Sequence, residues 1–302
     1  MIKISVVICT FNKKDYLIAT LNSFLNCKYK FDEFEIVISD DGSEIDLKSV
    51  LNTKDYPFKI VIVRQTHVGR AKSRNVAIEA AKGNIIVFND DDTLVTPDFL
   101  NQHYDYHKEN EKVVIIGQRK QAYMRTVDVP KIKESDIATL ISYLSKHAKL
   151  DIYSFCTNLV FEKIGISSHW IGGVTGNMSV KKEHLINCGK FDTNFKGWGF
   201  EDIELSYRLA LNGLKFLYTS NAVNYHLEHA RDRKQMIKEM YLNIEYFYTK
   251  YAQSEEIRLF WDFFRGKIGL KELDAKTYKE LGFMKEDVYF RLFKKSNLYS
   301  LI

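Results

Sequence analysis

Ile86-Val-Phe-Asn-Asp-Asp-Asp-Thr-Leu-Val-Thr-Pro97 is the stretch on which the fold turns. A short apolar run, Ile85 to Phe88, stops abruptly at three carboxylates, Asp90, Asp91 and Asp92. Apolar runs of this length bounded by polar residues read as buried strands. Adjacent acids at a strand end repel one another unless water solvates them or a cation neutralises them. Hard divalent cations take oxygen ligands and are often held by one or two carboxylates together with substrate phosphates. In open α/β sheets, strand ends are also where ligands bind. Taken alone, an acidic triplet is better read as a solvated turn. Its companions elsewhere in the chain decide for a site.

Upstream, Ile4 to Cys9 reads as a strand, and Lys14 to Asn26 carries Leu17, Leu21, Phe24 and Leu25 at helical spacing. Phe34 to Ser39 is a second strand, Ile60 to Arg64 a third, Gly69 to Ala81 a helix, and Ile85 to Phe88 the fourth strand. Strands alternating with helices predict a parallel sheet with right-handed crossovers. Near-continuous apolar runs predict that both faces of this sheet are covered. Downstream, helices are expected at Asp98–Glu109, Ser135–Lys149, Lys182–Asn187 and Asp202–Leu211. Strands are expected at Val113–Gly117, toward Val180 after a Gly-rich turn from Gly172, at Phe216–Tyr218, and separately at Ala222–His226. Tyr153 to Trp170 has no clear period, and from Arg231 onward the pattern is helical, basic and aromatic.

The composition bounds the function. The 302 residues are 45% hydrophobic and 14% aromatic, ample for a full core. A net charge of +5 suits anionic substrates or a membrane surface and is too weak to argue for nucleic acid. Cys9, Cys27, Cys156 and Cys188 are widely spaced, so neither a zinc site nor a disulfide framework is indicated. Met1-Ile-Lys-Ile-Ser runs straight into a strand without a signal peptide, and no run has the eighteen or so apolar residues that span a bilayer. A soluble cytoplasmic protein is expected.

The first strand–helix junction, Val7-Ile-Cys-Thr-Phe-Asn12, lacks the glycine fingerprint of dinucleotide binding. The second strand ends in Asp40-Asp41-Gly42-Ser43, where a carboxylate can accept an N–H such as that of uracil; an ordinary Asp-Gly turn would read the same. Gly69-Arg-Ala-Lys-Ser-Arg-Asn75 places three cations near a helix start, a setting for a diphosphate or for a solvated helix face.

In this order, Ile-Cys-Thr-Phe-Asn, Ser-Asp-Asp-Gly-Ser, Ser-Arg-Asn and Phe-Asn-Asp-Asp-Asp resemble family 2 glycosyltransferases of the GT-A fold. The resemblance covers roughly residues 1 to 230. It implies an α/β architecture: a Rossmann-like, mixed but mostly parallel central sheet flanked by helices. Residues 1–110 would bind the nucleotide sugar, 111–230 would form the acceptor and catalytic half, and 231–302 a helical C-terminal extension. A UDP-sugar donor and a divalent metal, Mn²⁺ or Mg²⁺, are implied with it. Carried over, Thr10 and Phe11 line the base pocket, Asp41 receives the uracil N–H with Asp40 as its fallback, and Arg70 or Arg74 lies near the base or phosphates. Asp90 and Asp92 form an Asp-x-Asp pair, with Asp92 the direct metal ligand. Asp91 or Asp90 holds the ribose.

Gly173-Val-Thr-Gly-Asn-Met-Ser-Val, Gly189-Lys-Phe-Asp and Gly197-Trp-Gly-Phe-Glu-Asp-Ile-Glu look like the acceptor half of chondroitin-polymerase-type N-acetylgalactosaminyltransferases. The last segment is also similar to the Gly-Trp-Gly-Gly-Glu-Asp segment of β-1,4-galactosyltransferases. An inverting transfer needs a base for the acceptor hydroxyl, and a carboxylate at a helix start near a diphosphate suits that task. By resemblance Asp202 is the base and Glu201 binds acceptor hydroxyls or steadies the geometry. As plain helix-start acids they would be favoured by the dipole alone, but that does not explain the glycines before them. Gly197 permits a backbone turn closed to other residues, and Trp198 offers a platform for a sugar ring. Phe200 stands where those enzymes often carry glycine and is expected to narrow or reshape the sugar pocket. A histidine after the late strand completes the metal site in the resembling enzymes: His226, with His229 as the alternative. Such mixed ligation suits Mn²⁺ at least as well as Mg²⁺.

Galactose, N-acetylgalactosamine, glucose and N-acetylglucosamine remain open as donor sugars. The acceptor is read as a saccharide or glycoconjugate. The tail's aromatic stripe, from Tyr241 through Arg265, reads first as core or a homodimer face. With Arg291, Lys294 and Lys295 beside it, it allows a peripheral contact at the inner face of a membrane. Two rivals stand beside the transferase. A catalytically silent nucleotide-sugar or glycan binder should have lost Asp92, Asp202 or His226. A sugar nucleotidyltransferase would want a Gly-rich triphosphate loop, of which Thr10-Phe-Asn-Lys-Lys14 is a poor version.

Overall fold

The apolar runs of the N-terminal half become strands because successive side chains leave the backbone on opposite faces, and both faces are covered. Val7, Val37, Ile86 and Phe88 enter one hydrophobic cluster, while Ile4, Val6, Ile8, Ile36, Ile38, Ile85 and Val87 enter another on the far side. Each such burial contributes about 1.5–3 kcal/mol, more than the ~1 kcal/mol span of strand propensity, so burial sets these elements. The computed structural model describes residues 1–122, 129, 132, 134–150, 157, 160, 161, 168–229, 232–265, 267 and 268.

Nine strands among the described residues form one sheet. β1 (Ile4–Thr10), β2 (Phe34–Asp40), β3 (Lys59–Arg64) and β4 (Ile85–Asn89) are parallel in the order β3-β2-β1-β4. Beyond β4 the sheet is mixed. It is continued by β5 (Thr93–Val95), β6 (Val113–Ala122), β7 (Lys149–Leu150), β8 (Asn177–Lys181) and β9 (Lys215–Leu227). β8 runs antiparallel between β4 and β6, β9 runs parallel to β6, and β5 is antiparallel to β9.

The helices are α1 (Lys14–Ser23), α2 (Leu47–Val50), α3 (Arg70–Ala80), α4 (Phe99–Glu109), α5 (Ile137–His147), α6 (Lys182–Asn187), α7 (Glu201–Leu211), α8 (Arg233–Lys250) and α9 (Glu255–Phe264). Leu17 and Leu21 of α1 and Phe99 and Leu100 of α4 cover one face of the sheet. Ala77 and Ile78 of α3 and Leu205 and Leu209 of α7 cover the other. The tail's aromatic stripe joins this second cluster: Phe247 of α8 and Phe260 and Phe263 of α9 pack with Trp170, Phe200 and Tyr207. This is the core alternative of the tail's reading. Among the described residues, no helix is long and apolar enough to cross a membrane.

Two expectations about strands change. The pieces expected at Phe216–Tyr218 and Ala222–His226 are one strand, β9, whose register against β6 shifts between Thr219↔Gly117 and Val223↔Gln118. Residues 220–222 are bulged out between them, and the expected break in the strand falls at 219–221. Gly117 makes the bulge possible, because a Cβ there would lie 2.5 Å from the Ala222 carbonyl oxygen. β5 was not expected at all, since three residues are too short to show a period. Cys9, Cys27 and Cys188 are free thiols. Cys156, most of Tyr153–Trp170, the boundary at 230 and 231, and Arg291, Lys294 and Lys295 lie outside the described residues.

Candidate active site

The three acids sit where β4 ends, and the turn that presents them is tied down from both sides. The Asn89 amide donates to the carbonyls of Asp90 and Thr93, both at 3.0 Å, and its own oxygen accepts from Asn224 Nδ2 at 2.9 Å. β5 then pairs with β9 in a register that sets Thr93 opposite His226, and Leu227 N–H donates to the Asp92 carbonyl at 2.8 Å. That short ladder brings distant parts of the chain together. His226 Nε2 lies 3.5 Å from Asp92 Oδ1, and His229 Nε2 lies 2.9 Å from Asp92 Oδ2. One ligand atom from each of Asp92, His226 and His229 falls within 4.8 Å of the others. Gln121, opposite His226 on β6, places Oε1 2.9 Å from His226 Nδ1, which turns Nε2 toward Asp92.

One buried carboxylate and two imidazoles facing each other form a donor set for a divalent cation, and the nitrogen pair suits Mn²⁺ better than Mg²⁺. Burial alone would raise the Asp92 carboxyl. Hydrogen bonds from His226 and His229 and the charge of Lys13 hold it well below the usual carboxylate range. Asp91 responds the other way: burial pushes it up to about 6, against the pull of Lys13. Of the expected metal residues, Asp92 and Asp90 with His226 and, as its alternative, His229, the structure brings Asp92 and both histidines together. Both histidines converge on Asp92, while Asp90 Oδ2 turns to Arg119 Nη1 at 3.0 Å. Burial opposes ionisation of Asp90, and the Arg119 guanidinium overrides it and lowers the carboxyl.

The residues expected at the base and phosphates lie at the ends of β1 and β2 and the start of α3. Thr10 is buried, and Phe11 is 42% exposed with its ring 4.4 Å from that of His67. Asp41 is occupied within the fold: Oδ1 accepts from Val68 N–H at 2.9 Å and Gln65 Nε2 at 3.1 Å, and Oδ2 from Gly69 N–H at 3.0 Å. The fallback, Asp40, uses Oδ1 for Ser43 N–H at 2.9 Å, while its buried Oδ2 accepts no hydrogen bond among the described residues. Arg70 is exposed at the first turn of α3. Arg74, one turn on, is buried and donates to Glu201 Oε1 at 2.7 Å.

That pair links the two halves at the start of α7. Glu201 is committed to Arg74, whereas among the described residues Asp202 accepts only from backbone, Ile203 N–H at 2.9 Å and Thr175 N–H at 3.4 Å. Burial, reinforced by the charge of Glu201 and opposed by Arg74, pushes the Asp202 carboxyl up to about 7. A carboxylate tuned to that value is matched to taking a proton at neutral pH.

The loop before α7 is held by a helix that follows it in the chain. Gly197, Gly199 and Phe200 have φ of +68°, +99° and +70°. Asn243 of α8 donates to the carbonyls of Lys196, Trp198 and Gly199 at 2.8, 3.3 and 2.9 Å and accepts from Lys196 N–H at 3.2 Å. Glu239 accepts from Trp198 N–H at 2.8 Å, and a Cβ at Gly197 would lie 2.3 Å from its carboxyl carbon. Trp198 is half-buried against the core. Phe200 is buried, with its ring in the aromatic core 5.1 Å from that of Phe264 and 6.3 Å from that of Phe260.

Sequence reasoning missed Lys13, Arg119, Gln121, Glu239 and Asn243. The only hint was polarity at the end of an apolar run in Gln118-Arg-Lys-Gln121.

Comparison with known proteins adds independent findings. The profile described as "Glycosyl transferase family 2" matches residues 5–165, and one described as "N-terminal domain of galactosyltransferase" matches residues 157–231. The uncharacterized glycosyltransferase YfnE of Bacillus subtilis (strain 168) is 31% identical over 82% of this chain and 70% of its own. Chondroitin synthase of Escherichia coli is 25% identical over 85% of this chain and 40% of its own, so the chain spans well under half of that relative. Among solved structures, S. aureus TarS 1-349 in complex with UDP-GlcNAc superimposes with a TM-score of 0.61 at 18% identity, covering 92% of this chain and 78% of that one. The mannosyltransferase PcManGT from Pyrobaculum calidifontis, in complex with GDP-Man and Mn²⁺, gives 0.60 at 13% identity, covering 97% and 73%. These likenesses establish the GT-A glycosyltransferase fold.

Proposed function

This chain belongs to glycosyl transferase family 2, and from that premise we propose that it is a metal-dependent, inverting enzyme. It moves a sugar from a UDP-sugar to a hydroxyl of a saccharide or glycoconjugate. The observation that carries the reading is the convergence of Asp92, His226 and His229 beside the strand ends where a nucleotide would lie. A divalent cation held by those three residues would supply Lewis-acid neutralisation of the donor's diphosphate.

The remaining chemistry belongs to the chain. Asp202 accepts the proton of the acceptor hydroxyl. The acceptor oxygen forms its bond to the anomeric carbon as the bond from that carbon to the diphosphate oxygen breaks. The electron pair leaves with UDP, and attack from the opposite face inverts the centre. Arg74 holds Glu201 beside the base, and Glu201 in turn keeps the Asp202 pKa high. Thr10, Phe11 and the Asp40-Asp41 pair form the base side of the site. Arg70 is the exposed cation nearest a phosphate position at the α3 start. Trp198 is the acceptor platform, held by Asn243 and Glu239.

The donor sugar is one of galactose, glucose or their N-acetylamino forms, and polysaccharide assembly at the cytoplasmic face of a membrane is the setting proposed. Relatives and neighbours named for chondroitin synthesis, UDP-GlcNAc and GDP-Man support a nucleotide sugar. The test is a panel of UDP-sugars, with GDP-mannose beside them, assayed for Mn²⁺-dependent release of sugar without acceptor. UDP binding with no release from any donor would favour a silent binder and remove the transferase reading.

A further inference from the structure

The metal seat already contains a cation. Lys13 ends the loop that leaves β1 and precedes the first turn of α1. Its Nζ donates to Asp92 Oδ2 at 2.6 Å, and lies 3.0 Å from His229 Nε2 and 3.3 Å from Asp91 Oδ1. Two of these partners belong to the set that would hold the metal. A divalent ion sits about 2.0–2.2 Å from oxygen and imidazole ligands. An ion bound to the same two atoms would occupy the space of the ammonium, so the two cations exclude each other.

We propose that Lys13 is an exchangeable counter-cation. It neutralises the seat in the empty enzyme, is expelled when the divalent ion binds, and then pairs with the diphosphate of the donor. Three features of the chain carry this. The ammonium stands on a flexible four-carbon stem rooted outside the seat, and the side chain remains 28% exposed, which leaves it a way out. Its root lies three residues after Thr10, the residue proposed at the base, and its ammonium reaches Asp92, so a diphosphate joining the base to the metal would pass beside it. Without it, Asp91 and Asp92 would have no ammonium paired with them among the described residues. The exchange makes metal binding weak without nucleotide and strong with it, because the displaced lysine gains a new anion only when the diphosphate is present.

This rests on the proposed metal site, and the experiment separates the two. Mn²⁺ binding is measured by electron paramagnetic resonance on the full chain, with and without UDP, for the wild type, Lys13→Met and Asp92→Asn. Removing the competing ammonium should tighten Mn²⁺ binding without nucleotide about tenfold, and should weaken UDP binding in saturating Mn²⁺ about tenfold. Asp92→Asn should lose Mn²⁺ in both conditions. If Lys13→Met binds Mn²⁺ no more tightly than the wild type while Asp92→Asn fails to bind it, the seat stands and the exchange is wrong. If the wild type binds no Mn²⁺ in either condition, or Asp92→Asn binds as well as the wild type, the seat is wrong and the exchange falls with it. Acylation of Lys13 in the unaltered protein, followed by mass spectrometry, needs no substitution. Its rate should rise with Mn²⁺ alone and fall when UDP is added, and a rate indifferent to Mn²⁺ overturns the proposal.

Discussion

The two halves of the site are held in different ways. On the proposed donor side, each polar group stands at the end of a strand or the start of the next helix, and its neighbours come from adjacent strands and loops: those of Asp92 from the β5–β9 ladder, those of Asp41 from the loop after β3. On the proposed acceptor side, the Gly197-Trp-Gly-Phe loop has a backbone that strands and helices cannot hold, with three left-handed residues in four, and it is fixed by side chains of α8. A sheet edge positions groups through its ladder; an irregular loop needs a partner for each exposed N–H and C=O. Variants on the donor side should therefore disturb metal and nucleotide binding, and variants on the acceptor side should disturb transfer while leaving the nucleotide alone.

The largest effect is expected at the junction of the halves. Asp202→Asn should lower transfer by about 10²–10⁴-fold, the range of a lost general base, with UDP affinity close to that of the wild type. Equal loss of both would make Asp202 a structural residue and erase the proposed division. The same carboxyl predicts a pH profile. With its pKa raised to about 7 by burial and Glu201, it is protonated and idle at lower pH. Log kcat/KM should climb with a slope of about one below pH 7 and level above it. A profile flat from about pH 5.5 to 8.5 would exclude Asp202 as the titrating base.

Next comes the purest acceptor-side test. Asn243→Ala removes four hydrogen bonds to the 196–199 loop and leaves carbonyls of a part-buried loop without partners. The unmade bonds cost about 1–3 kcal/mol each where water cannot replace them. The melting temperature should fall and the acceptor KM rise, while UDP binding by calorimetry stays unchanged. A variant that loses UDP binding in step with transfer would mean that α8 supports both halves.

How much of this was legible in the sequence follows the same division. The parallel half could be read because Val7 and Ile8, or Ile86 and Val87, alternate between two covered faces, and such runs carry their own signal. The strand-end acids were visible for the same reason, being the polar stop of an apolar run. That Asp92 meets a histidine came only through family resemblance, because the three-residue β5 that creates the meeting is too short to read. The bulge in β9 was hidden because polar residues at 219–221 interrupt the apolar pattern, so one strand read as two. Asn243 and Glu239 were illegible: in a helix of basic and aromatic residues nothing marks two polar side chains as partners of a loop forty residues upstream. The left-handed backbone at Phe200 was not legible either, since a phenylalanine rarely adopts it and nothing in the sequence marks the core contact with Phe264.

The smallest effect should appear at Gln121, which meets the proposed metal seat through His226. Its Oε1 lies 2.9 Å from His226 Nδ1 and selects the ring orientation that presents Nε2 to Asp92. Partners of metal-bound histidines typically contribute about 10–100-fold in metal affinity. Because Asp92 and His229 stay in place, Gln121→Leu should sit near the lower end, with Mn²⁺ affinity reduced about tenfold. Transfer at saturating Mn²⁺ should be nearly unchanged. Gln121→Glu separates orientation from charge: a carboxylate can still accept from Nδ1, so it should restore most of the affinity. If both variants bind Mn²⁺ like the wild type, His226 is not a ligand and the ion relies on Asp92 and His229. If both abolish transfer even in excess Mn²⁺, Gln121 reaches the acceptor side, and the separation of the two halves fails at β6, the strand that joins them in the sheet.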